Sequence, residues 1–123
     1  VIGVVRLDVF NLDIAVFDND AERVEVALLE GCVDAEPQNS AAISSAHRDV
    51  TSSGEMRMSV VLKPRATYAT WAHEAVHLAD FVMDGMGMPT DVTNTELRAY
   101  LVGHIVACLH EIMPAPVTST QMS

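Results

Sequence analysis

The spacing of hydrophobic and polar positions changes several times along the chain. "VIGVVRLDVF" alternates loosely and is rich in Val and Ile, which predicts a half-buried strand over roughly 2–10. In "FDNDAERVEVALLEGC" the positions Val24, Ala27, Leu28 and Cys32 recur at helical spacing. Asp18 or Asp20 can cap that helix and Gly31 helps to stop it, so it is expected over about 20–30. "DAEPQNS" reads as a loop, and the fragment around 41–48 is ambiguous between a strand and a sheet edge. "TSSGE" is a turn and "MRMSVVLK" alternates as a strand at about 56–63, so the two segments can form a hairpin before Pro64 ends the ladder.

From Ala66 to about Met83 the period becomes helical, with Trp71, Ala75, Leu78, Ala79 and Val82 on the apolar side. "DGMGMPTD" breaks the pattern. A last helix is expected over about 94–112, and "APVTSTQMS" reads as a frayed tail. The order of elements implies one α+β domain over 1–113, with a small mixed sheet packed on helices, and a tail over 114–123.

Composition narrows the function classes. Half of the 123 residues are hydrophobic, enough for one packed core, and no apolar run approaches the ~20 residues of a membrane span. With no signal-peptide pattern at the N-terminus, the sequence predicts a cytoplasmic protein with no membrane partner. The formal charge of −10 argues against nucleic acid as a partner, because phosphate binding needs clustered Lys and Arg. Residues 1–36 hold nine acids against Arg6 and Arg23, which reads as a solvated face, a docking face for a basic partner or a mimic of nucleic acid. Cys32 and Cys108 form no C-x-x-C pair and are expected to be buried free thiols.

The candidate chemistry lies in "TWAHEAVHLAD". Residues four apart are neighbours on one helix face, so His73 and His77 can offer imidazole nitrogens to one zinc ion. Glu74 sits ~100° round the helix from His73, beside the ion, where it can act as general base toward a water that zinc has acidified. A third ligand is still required. Asp80 and Asp84 share the histidine face, but Asp80 lies ~10 Å along the axis from His73. Glu96 follows His77 at a spacing that lets the chain turn and return antiparallel. On the returning helix, residues 96, 100, 103 and 107 share one face, and Gly103 and Ala107 are small enough for close approach. Glu96 also completes "TNTE", a capping-box pattern in which its carboxylate would fold back on its own helix. Tyr100 is the first candidate for a donor to a developing oxyanion and His104 the second. His47 and His110 read as surface residues, and the seven methionines read as core filler.

"HEAVH" with Glu96 in "NTELRAY" resembles the gluzincin branch of zinc metallopeptidases, which pairs an HExxH helix with a glutamate from a following helix. "HEAVHLADFV…NTELRAYLVG" is similar to small metallopeptidases of phages and prophages, over about residues 56–110. The resemblance implies a minimal zincin-like fold and hydrolysis of peptide bonds in a peptide or protein substrate. It also implies one Zn2+ held by His73, His77 and Glu96, with Glu74 as catalytic base. The alternative reading is a non-catalytic zinc-containing binding protein, a phage-type modulator of a host protein acting through the acidic surface.

Overall fold

The computed structural model describes residues 1–39 and 41–116. Within them lie four strands and three α-helices: β1 (Gly3–Leu7), β2 (Leu12–Phe17), α1 (Asp20–Leu29), β3 (Ser44–Val50), β4 (Met56–Leu62), α2 (Tyr68–Gly85) and α3 (Thr95–Ile112). The class is α+β, as the pattern implied. The sheet is mixed, in the order β1-β2-β4-β3: β1 and β3 are antiparallel to their neighbours, while β2 and β4 are parallel. Residues 114–116 follow α3 without regular structure, and the rest of the expected tail lies outside the described residues.

The strand expected over 2–10 ends at Leu7, and a second strand follows at Leu12–Phe17, where none was expected. A short 3-10 turn at Asp8–Phe10 reverses the chain, with Asn11 in the left-handed region at φ 52°. Asparagine tolerates that conformation better than most side chains. Arg6 braces the reversal, donating to Asp8, Asp13 and Asn11 at 2.6–3.1 Å. Asn11 between two apolar runs was the available signal.

Alternation along the strands sorts the core. Val5, Leu7, Ile14, Val16, Met58, Val60 and Leu62 line one face of the sheet and bury themselves against α2 and α3. The apolar side expected for α2 is buried at all five positions. In α3 the buried stripe is Leu101, Ile105 and Leu109, spaced four apart. This helix comes so close to β1 that a Cβ at Gly3 would stand 2.5 Å from Ile112 Cγ2, closer than side-chain carbons approach.

The helix α1 covers the opposite face. Its cap is Asn19, whose side chain accepts from the Glu22 N–H at 2.8 Å, between the two aspartates the sequence offered. Gly31, at φ 89°, follows its end as expected. Its buried side chains are Ala27 and, against the apolar pattern, Arg23; Leu28 is half exposed. Arg23 tolerates burial because Asp20 accepts from it at 2.7 Å and the Glu36 carbonyl at 2.6 Å, with Asp49 at 3.9 Å. Asp20 in turn accepts from the Gln38 N–H, so one buried cation fastens the loop after α1 to the sheet. His47, expected on the surface, is buried at the same place and bonds Ser45 Oγ at 2.6 Å. Both thiols are unpaired, Cys32 buried and Cys108 half-buried. No helix among the described residues is long and apolar enough to cross a membrane.

Candidate metal centre

Thr67 opens α2 by accepting from the Thr70 N–H, and the helix runs unbroken through the HEAVH segment. Packing of Trp71, Ala75, Leu78 and Ala79 into the core fixes its rotation. That rotation leaves His73 and His77 exposed on the outer side and turns Glu74 inward, 6% exposed. The histidine Nε2 atoms stand 3.2 Å apart, with the rings at 74°. Two nitrogens bound tetrahedrally at 2.0–2.1 Å from one ion would be separated by about 3.3 Å. Two lone pairs at such a distance repel, so one nitrogen carries a proton to the other or both face a cation. Ligand atoms of His73, Glu74 and His77 all lie within 4.8 Å of one another, the one such group among the described residues.

The Glu74 carboxylate is held from the sheet. Ser44 Oγ, at the start of β3, donates to Glu74 Oε2 at 2.5 Å. Residues 44, 46 and 48 of β3 share the side facing α2, and β3 is an edge strand with one ladder partner. Four residues on, Arg48 donates to Asp84 at 2.5 Å and lies over the Phe81 ring at 5.3 Å. The edge of β3 therefore runs alongside α2 past the histidine pair. Sequence reasoning placed a sheet edge near 41–48 but did not find Ser44 as the partner of Glu74. The alternation of 44, 46 and 48 was its only trace.

The expected third ligand is not in this group. Two contacts set the pairing of α2 with α3. Asp80 accepts from Arg98 at 2.7 and 3.2 Å, and His110 stacks on Tyr68 and meets the edge of Trp71. The helices are antiparallel, as predicted. The residues of α3 abreast of His73 and His77 accordingly fall between 98 and 110, and Glu96 lies beyond them, toward the far end of α2. Its face is also turned away: Glu96, Tyr100, Gly103 and Ala107 are all exposed, and a Cβ at Gly103 would meet nothing within 4 Å. The stripe Leu101, Ile105 and Leu109 buries more apolar area than the small-residue face and takes the contact with the core.

Tyr100 therefore stands away from the histidine pair, 60% exposed, with its ring stacked on His104. His104 Nε2 lies 2.9 Å from the Arg6 carbonyl, tying α3 to β1. The capping box does not form either. Asn94 precedes α3 without a side-chain cap bond, and Asp91 instead accepts from the Thr93 N–H at 3.0 Å. Asp80, Asp84 and Arg98 are engaged in the ion pairs above.

Elsewhere the structure offers less chemistry. A cleft of about 630 Å3 lies on the opposite face of the sheet, where α1 is too short to cover Val4 and Ala15. Its exposed cations are already matched, Arg6 with Asp13 and Arg57 with Glu30. The acids of residues 1–36 are likewise partly paired, Asp8 and Asp13 with Arg6 and Asp20 with Arg23. No family model, curated protein or solved structure matches the chain.

Proposed function

We propose that this chain is a zinc-dependent hydrolase of peptide bonds built on a minimal zincin-like domain, with His73 and His77 as metal ligands and Glu74 as general base. The observation that carries the reading is the pair of Nε2 atoms 3.2 Å apart beside a buried carboxylate anchored by Ser44. Two imidazoles with a nearby carboxylate are a donor set suited to zinc. Bound there, zinc supplies Lewis acidity that polarises a carbonyl and acidifies a water.

The protein's own part is positional. Ser44 occupies one oxygen of Glu74 and leaves the other to take a proton, while burial keeps bulk water from competing for it. The unpaired edge of β3 offers backbone N–H and C=O groups to an extended peptide, which favours a peptide over a compact small molecule as substrate. Glu96 is left out of the ligand set by its place on the outer face of α3.

Elemental analysis after dialysis against metal-free buffer tests the site. Wild type and Glu96→Ala are expected to keep zinc, and His73→Ala/His77→Ala to lose it. Glu74→Gln is expected to keep zinc and lose cleavage of an unstructured protein such as casein. No zinc in the wild type after offering the ion would overturn the reading, as would Glu74→Gln cleaving as fast as wild type.

A further inference from the structure

Two imidazoles fill half of a four-coordinate ion. No other ligand atom converges on them among the described residues except the Glu74 carboxylate, which Ser44 holds inward. We propose that a second copy of this chain supplies the missing half, its own His73 and His77, so that one zinc ion joins two chains across a two-fold axis. This rests on the metal reading above and adds a partner to it.

The surface around the pair suits a copy of itself. Ala69 and Ala72 are exposed and Val76 is half-buried, so the residues of α2 beside the histidines on this face are short. The bulky neighbours are engaged within the chain, Tyr68 with His110 at one end and Asp80 with Arg98 at the other. A two-fold interface needs one patch complementary to itself, and a pair of ligands that each satisfies half an ion has that property. The charge near the patch is close to balanced, since Asp80 and Asp84 are matched by Arg98 and Arg48. The rest of the chain is not, and −10 on each copy opposes association. The ion is therefore obligatory for the dimer, and added salt strengthens it by screening the repulsion.

The arrangement has a functional consequence. A single chain leaves two coordination positions for substrate, whereas the paired chains close them, so hydrolysis per chain falls as protein concentration rises.

Sedimentation of the full chain, in EDTA and with zinc chloride, reads the proposal directly. The expected result is monomer in EDTA, and with zinc a doubled mass at half a zinc per chain, favoured by added salt. His77→Ala is expected to stay monomeric with zinc, its circular dichroism unchanged. Monomer with one zinc per chain would overturn the dimer and leave the metal site standing, whereas no bound zinc would overturn both. A dimer that persists in EDTA or in His77→Ala would show an interface that the ion does not make.

Discussion

Removing the hydroxyl of Ser44 isolates the contact on which the candidate base depends. In Ser44→Ala the buried Glu74 carboxyl loses the donor that now stands 2.5 Å from Oε2, and at 6% exposure water cannot readily replace it. Stranding a buried polar group in this way costs about 1–3 kcal/mol. At roughly 2.1 cal/mol/K per residue, unfolding this chain carries about 0.26 kcal/mol/K of entropy, so the Tm should fall by about 4–12 °C. Urea unfolding of wild type, Ser44→Ala, Glu74→Ala and the double variant closes a cycle. The two side chains should couple by about 1 kcal/mol or more, because each is the other's partner. A loss below about 0.5 kcal/mol in Ser44→Ala, the range of ordinary surface changes, would refute the reasoning, for it would mean that Glu74 is solvated and free of β3.

Other perturbations probe the frame around the site. Arg23→Ala breaks a buried ion pair and leaves Asp20 without its cation, so about 3–5 kcal/mol should be lost in urea unfolding; a loss under about 1 kcal/mol would show that the loop after α1 is held otherwise. Burial, aided by Arg23 and opposed by Asp20 and Asp49, lowers the pKa of His47 from 6.5 to about 4. The unfolded chain then binds the extra proton between those values. Stability from His47 is present above pH 6.5 and drains away as pH falls toward 4, by up to about 3 kcal/mol, and His47→Gln should flatten that slope. An unchanged slope in the variant would assign the acid sensitivity to other groups. Ile105→Ala removes a fully buried side chain between α3 and the sheet and should cost about 2–5 kcal/mol. Gly3→Ala should cost about 1–3 kcal/mol through collision with Ile112, with Ile112→Ala relieving it in the double variant.

Much of the architecture was written in local chemistry. The helical period over 66–83 located α2 to within two residues at each end and gave the side it buries, and the four-residue spacing alone makes His73 and His77 neighbours. The turn at "TSSGE" and the alternation after it set the β3–β4 hairpin. These features depend on residues within one or two turns of each other, so the sequence carries them directly. What it left undetermined depends on competition between surfaces. In α3 the face 96/100/103/107 and the stripe 101/105/109 both have helical spacing, and only packing against the sheet decided that the larger aliphatic side chains go inward, taking Glu96 and Tyr100 out. Arg23 and His47 look like surface residues until the fold brings Asp49 and the Glu36 carbonyl to Arg23 and buries both side chains beside their local partners Asp20 and Ser45. Ser44 is one serine among many until the sheet brings it to Glu74, thirty residues along the chain. Periodicity determined which residues could form the site; the burial of apolar area, summed over the whole fold, decided which of them meet.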